Sequence, residues 1–179
     1  MNNVLRGTKT YLIGTMQYAN GRDWRNYVKE ELKDRGITIF DPYHKPFLDG
    51  IEEDEAARLE LGKLMDESNF DEVAKRMRRV RALDLRLCDI SDYVIAHILP
   101  SVASWGSAEE LVTCCRMKKV LFLSIEGSKN QCPLWLMGMF PHKYIFNNVE
   151  ESVRMIKDID DGKVDIDSDR WKLLKPEFR

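Results

Sequence analysis

The 179-residue chain lacks the residue patterns that announce a metal site, a disulfide framework or a membrane span. Its four cysteines, Cys88, Cys114, Cys115 and Cys132, form no C-x-x-C pair, and the adjacent Cys114 and Cys115 on a predicted helix would point in different directions. Free thiols follow. The three histidines, His44, His97 and His142, lie far apart without ligand spacing, so neither a zinc ion nor any other metal or cofactor is expected. His97, inside an apolar run, reads as a hydrogen-bonded core residue, and His44, in a polar loop, is better placed for chemistry. No apolar run approaches the roughly 20 residues that a membrane helix needs, and the N-terminal Met1-Asn2-Asn3-Val4-Leu5-Arg6-Gly7 has no secretory apolar stretch. The expectation is a cytoplasmic protein. A formal net charge of -2 leaves no electrostatic footprint for nucleic acid or an anionic membrane. The basic run Lys75-Arg76-Met77-Arg78-Arg79-Val80-Arg81 reads as a solvated helix face. Neither G-x-G-x-x-G nor a Walker A loop is present, which argues against a dinucleotide dehydrogenase or a P-loop kinase.

What is present is one core's worth of apolar residues, 44% hydrophobic against 32% charged, which suits a single domain over residues 1–179. Strands and helices alternate. Thr10-Tyr11-Leu12-Ile13-Gly14 reads as a first strand, followed by a helix with Trp24, Tyr27, Val28 and Leu32 at helical spacing and Gly36 at its end. Ile37-Thr38-Ile39-Phe40 is a second strand stopped by Asp41-Pro42. Residues 44–87 form a charged insertion with two predicted helices, over 52–65 and 69–83, the second with a capping box at Ser68-x-x-Asp71. Residues 93–99 and 120–123 are the third and fourth strands. The helix between them has Ala108, Leu111, Val112 and Cys115 on one face. Tyr144-Ile145-Phe146 is the fifth strand, and Asn148 caps a helix with Val149, Val153 and Ile156 inward. A polar tail covers 160–179. This alternation predicts an α/β, flavodoxin-like or Rossmann-like three-layer sandwich with a five-stranded parallel sheet in the order 2-1-3-4-5 and a helical insertion after strand two.

In that order the ligand crevice lies between strands one and three, walled by residues 14–21 and 100–107, the loops richest in small and hydroxyl-bearing residues. Ser104-Trp105-Gly106-Ser107-Ala108-Glu109-Glu110-Leu111 puts a glutamate near a helix start, where exposed amides and the positive dipole end would favour an anion and hold the acid ionised. An ionised, positioned glutamate is a usable nucleophile. A capping acid is the plainer reading of the same octapeptide.

Three blocks together resemble the nucleoside 2-deoxyribosyltransferase family, including its 2'-deoxynucleoside 5'-monophosphate N-glycosidase branch. They are Tyr11-Leu12-Ile13-Gly14-Thr15-Met16, then Asp84 with seven residues before Asp92-Tyr93-Val94-Ile95-Ala96, then Gly106-Ser107-Ala108-Glu109-Glu110-Leu111. The resemblance covers roughly residues 8 to 125, apart from the charged insertion. It implies that Glu110 is the nucleophile that forms a glutamyl-deoxyribosyl intermediate, that Tyr11 orients it, and that Asp84 handles the proton on the departing base. A retaining displacement needs such a pair, with carboxyls about 5 Å apart. The resemblance also marks as substrate-binding candidates Gly14, Thr15 and Met16 in the first block, Asp92 in the second, and Ser104, Gly106 and Ser107 around the third. Ser104, six positions before Glu110, stands where free-nucleoside transferases carry a sugar-contacting aspartate. The monophosphate enzymes have serine there, serving the 5'-phosphate, and Thr15 falls where they have another phosphate-binding serine. The loop over 100–107 is longer than theirs. The implied partners are a small nucleoside or nucleotide, an acceptor base and, because a neighbouring subunit helps close the pocket in both branches, a homodimer or larger homo-oligomer. From the residues alone Tyr11 also fits strand packing, Asp84 fits a helix surface, and Glu109 competes with Glu110 for the pocket, since neighbours on a helix point about 100 degrees apart. The alternative function is a catalytically silent nucleotide-sensing module of the same fold.

Overall fold

A computed structural model describes residues 3–16, 20–45, 53–117 and 119–164. The elements are β1 Lys9–Gly14, α1 Asn20–Leu32, β2 Thr38–Phe40, α2 Glu55–Asp66, α3 Phe70–Ile90, β3 Tyr93–Ile98, α4 Trp105–Arg116, β4 Val120–Ile125, α5 Leu134–Met137, β5 Ile145–Phe146 and α6 Val149–Asp160. The five strands are all parallel in the order β2-β1-β3-β4-β5. The flavodoxin-like expectation therefore holds, including the switch point between β1 and β3, from which the strand order runs outward both ways. Polar tail residues 165–179 and loop residues 17–19 and 46–52 lie outside the described residues.

The two-residue period of the strands sorts the core into two layers. Leu12 of β1, Tyr93 and Ile95 of β3 and Phe122 of β4 face one layer, where they meet Trp24, Val28 and Leu32 of α1 and Val153 and Ile156 of α6. Tyr11 and Ile13, Val94 and Ala96, and Leu121 and Leu123 face the other, against Leu87 and Cys88 of α3 and Leu111 and Cys114 of α4. The strand alternation thus delivers Tyr11 to the same side of the sheet as α3 and α4. Among the described residues no helix is long and apolar enough to cross a membrane.

Local chemistry explains the helix ends. The α1 helix passes into a turn over Lys33–Arg35 and stops at Gly36, whose φ of 68° is left-handed. Asn148 accepts a hydrogen bond from the Glu151 amide and starts α6. The expected capping box at Ser68 and Asp71 is not formed: Asn69 is the N-cap, it makes no side-chain cap bond, and Ser68 turns the chain with a φ of 58°. The insertion's second helix also runs past its expected end at 83 to Ile90, because Leu83, Leu87 and Cys88 continue a buried stripe along it. Asp84 is therefore a mid-helix residue. In α4 the expected inward face is rotated by about one residue. Ser107, Glu110, Leu111 and Cys114 are buried, while Ala108 and Val112 face solvent.

Phe122 ties the first core layer together, edge-on to Tyr93 and Tyr144 at centroid distances of 5.8 and 5.7 Å and stacked with Phe146. Phe122→Ala is expected to cost about 3–5 kcal/mol, measured by urea unfolding, with the exposed Val112→Ala staying within about 0.5 kcal/mol.

Candidate active site

A cleft of about 440 Å³ opens at the carboxyl ends of β1 and β3, where an open α/β sheet reverses its winding. One wall is the chain leaving β1, Gly14, Thr15 and Met16; another is the segment Ala103–Ser107 at the start of α4; the insertion supplies the third through Arg58 of α2 and Val80 of α3. The expected crevice is present, and the insertion covers it from the side.

Gly14 is required by the strand pairing. A Cβ there would come within 2.5 Å of the His97 carbonyl oxygen on β3, so any larger residue would force apart the two strands whose ends frame the cleft. Beyond it the chain is pinned by Arg25 of α1. The fully buried guanidinium donates to the carbonyls of Gly14 at 2.8 Å, Thr15 at 3.3 Å and Gly21 at 2.5 Å, and lies 3.9 Å from the Asp41 carboxylate. Asp41 is in turn paired with Lys29 at 2.7 Å, which with the other hydrogen bonds keeps it ionised despite burial. On the opposite wall, Ser104 is the N-cap of α4. Its Oγ accepts from the Ser107 amide at 3.4 Å and donates to Ser107 Oγ at 2.9 Å. A Cβ on Gly106 would meet nothing within 4 Å, so the cleft is open at that point.

Glu110 and not Glu109 faces the cleft. Glu110 is 8% exposed, and the Tyr11 hydroxyl donates to its Oε1 at 2.9 Å. Glu109 points outward and is bound through both carboxylate oxygens by the Arg81 guanidinium of α3. Glu110 does not sit on the first helical turn, and the helix end does not hold it ionised. It lies in the second turn, where burial and then the nearby Asp84 carboxyl push it up to about 8, against the Tyr11 bond that favours the anion. Asp84, on α3, is pushed up to about 6 by burial and by Glu53, while Lys45 opposes the rise. The Tyr11 hydroxyl is itself held protonated by burial beside these acids. Tyr11, Asp84 and Glu110 all line the cleft, as do Gly14, Thr15, Met16, Ser104, Gly106 and Ser107.

Asp92 does not join them, which corrects its expected role in binding. It precedes β3, at the amino end of the strands, and its carboxylate accepts from the Lys9 amide at 2.7 Å while its own amide donates to the Lys9 carbonyl. Its contacts are those of a clamp between β1 and β3. His97 is a core residue on the far face of the sheet, held by Ser124 at 2.9 Å and Glu126 at 3.1 Å, with burial lowering its pKa. His44 is exposed, 3.6 Å from Asp41. Tyr43 donates to the Met16 carbonyl at 2.9 Å with the Arg22 guanidinium over its ring. The basic run on α3 is solvated as expected at Lys75, Arg78, Arg79 and Arg81, with Arg76 paired to Glu60 of α2 at 2.9 Å. Among the described residues no group of three or more acids, histidines and cysteines is placed to hold a metal ion.

Three functional-site residues were not legible beforehand. Arg25 had a signal, since it falls in phase with the buried Val28 and Leu32. Lys45 and Glu53, in polar stretches that flank 46–52, had none.

A pair of neighbouring acids with separated proton affinities can divide the labour of a displacement, one as anion and one as acid. For such a reaction kcat/KM is expected to trace a bell with limbs near about 6 and about 8, the values reached by Asp84 and Glu110. Below the lower limb both carboxyls are protonated and the nucleophile is missing; above the upper limb both are ionised and the acid is missing. Because the two interact, the limbs belong to the pair. A pH–rate profile that is flat across both values contradicts this assignment.

No protein-family model matches the chain, and no curated protein matches it. Among solved structures it is similar to a 2-deoxyribosyltransferase from the psychrotolerant bacterium Bacillus psychrosaccharolyticus, with a TM-score of 0.57 and 15% identity over 80% of this chain and 89% of that one. It also aligns with a CMP N-glycosidase from Clostridium botulinum, with a TM-score of 0.46 and 15% identity over 83% of this chain and 97% of that one. The similarity to the 2-deoxyribosyltransferase shows that the two chains share an α/β fold.

Proposed function

We propose that the cleft breaks or exchanges the N-glycosidic bond of a 2'-deoxyribonucleoside or its 5'-monophosphate through a covalent glutamyl-deoxyribosyl intermediate. The observation that carries this reading is the convergence of Glu110, Tyr11 and Asp84, from α4, β1 and α3, in one cleft at the switch point of the sheet. The motif resemblance and the fold shared with a solved 2-deoxyribosyltransferase point the same way. Tyr11 holds the Glu110 carboxyl by one oxygen and so aims the other. Between the two limbs the pair holds one proton, mostly on Glu110, and the tautomer that reacts has it moved to Asp84. The Glu110 anion then attacks the anomeric carbon, the bond to the base breaks, and the proton passes from Asp84 to the departing base. Water or a second base then takes the sugar from the glutamyl ester, and the carboxylate is regenerated. Developing positive charge on the sugar offsets the cost of the buried Glu110 anion at the moment the anion is needed. A homodimer or larger assembly that completes the cleft belongs to the same reading.

Incubation with the deoxynucleosides and their monophosphates, with and without a free acceptor base, tests the activity directly. Glu110→Gln, nearly isosteric, is expected to abolish base release with the fold retained by circular dichroism. Mass spectrometry of the unsubstituted protein with substrate and no acceptor should find a pentosyl or phosphopentosyl adduct on the Glu110 peptide. An adduct elsewhere, or undiminished turnover in the variant, removes Glu110 from the chemistry.

The hydroxyls of Thr15 and Ser104, on two walls of the cleft, favour a phosphorylated substrate. Thr15→Ala and Ser104→Ala should raise KM for the deoxynucleoside monophosphate selectively, since a hydroxyl's hydrogen bond to an anion is worth about 1.5–3 kcal/mol, roughly tenfold or more in affinity. Ser104 also caps α4, so its loss carries about 1 kcal/mol of stability as well. The ratio of KM values for monophosphate and free nucleoside within one variant isolates the phosphate contact. Equal losses on both substrates assign these side chains to the sugar or to the shape of the pocket.

A further inference from the structure

Lys45 is a lysine shut away from water, with a side chain 2% exposed. A buried ammonium persists only when it is paired. Its Nζ lies 2.9 Å from Asp84 Oδ1, in an ion pair whose angles fall outside a hydrogen bond, and it also contacts Glu53 Oε1. The three residues come from separate parts of the chain. Lys45 follows the bridge between Asp41 and His44 at the exit of β2, Glu53 immediately precedes the N-cap of α2, and Asp84 is in α3. Holding α2 against α3 does not require this arrangement, because the ion pair between Arg76 and Glu60 already joins them on the surface.

We propose that Lys45, with Glu53 as its counter-carboxylate, is a positioning residue that fixes the Asp84 carboxyl in the cleft and sets how many protons Asp84 and Glu110 hold between them. The inference deepens the glycosidic reading and rests on it for the use made of that proton. The ionisable groups that bear on Asp84 are Tyr11 from β1, Glu110 from α4, Glu53 ahead of α2, Lys45, and Cys88 on its own helix, with Arg58 of α2 on the same cleft wall. The Cys88 thiol is held protonated by its contact with Cys114 and by burial, so it adds no charge. Arg25, which is also buried, is committed to backbone carbonyls. Among the described residues Lys45 is therefore the cation that contacts Asp84, and Glu53 competes with Asp84 for it. Without Lys45 a desolvated Asp84 beside Glu110 would keep its proton to higher pH. Without Glu53 the ammonium would act on Asp84 alone, and the proton would leave at lower pH. Two substitutions in one ion-pair cluster should thus act in opposite directions, which loosening of the local packing would not produce.

The test is a carboxyl ¹³C NMR titration of aspartate-labelled full-length protein, with the Asp84 signal assigned by its loss in Asp84→Asn. In Lys45→Met the Asp84 midpoint is expected to rise, and in Glu53→Gln to fall, each by on the order of one pH unit. The acid limb of kcat/KM should move with the midpoint in each variant. Midpoints that do not move, or that move the same way in both variants, overturn the proposal. Opposite shifts in a protein that releases no base from any substrate would uphold the positioning role and defeat the glycosidic reading. Base release with unmoved midpoints would do the reverse. If Lys45→Met does not fold, Glu53→Gln and the charge-conserving Lys45→Arg decide: a lowered midpoint in the first and a retained one in the second support the proposal, and any other pair of results rejects it.

Discussion

Withdrawal of the Glu110 carboxyl from water is the constraint on which the arrangement of the cleft depends. An unpaired carboxylate in a poorly solvated site is costly, so in the resting protein this acid tends to carry a proton. Everything around it answers that cost. Tyr11 donates to one oxygen, the second acid is close enough to compete for the proton, and Lys45 stands behind the second acid. The result is a site poised with a proton to give and an anion still to be formed. The same withdrawal strengthens every electrostatic interaction within the cleft.

Three rigid supports keep the groups in register. The parallel pairing of β1 with β3 is clamped at its amino end by the Asp92 carboxylate on the Lys9 amide, and at its carboxyl end it permits nothing larger than glycine at position 14. Arg25 then gathers the carbonyls of Gly14, Thr15 and Gly21 on one guanidinium. The insertion gives the third support, through a helix whose buried stripe carries Asp84 among leucines.

The sheet order and the helix pattern were legible in the sequence because short apolar strands between amphipathic helices admit few parallel topologies. Glu110, Tyr11 and Asp84 were legible as motif members, and their meeting was an expectation that the fold realises. What failed to read through was orientation. A one-residue error in the phase of α4 put Ala108 and Val112 inward and left Glu109 and Glu110 indistinguishable, since hydrophobicity alone cannot say that a serine and a glutamate are buried at Ser107 and Glu110. Asp92 was misread for a related reason: motif spacing reports neighbours along the chain, whereas the two ends of a strand lie on opposite sides of the molecule. Lys45 and Glu53 left no trace because an ion pair between distant segments has no local period.

The sheet's outermost strands are also its shortest, three residues in β2 and two in β5, against six in each of the three strands between them. Little backbone is therefore left with free hydrogen-bonding groups along either margin. An extended segment of another chain would find almost no template on which to add itself. The long strands that could nucleate such growth are enclosed on both sides, so the geometry of the folded sheet itself guards against strand-mediated aggregation.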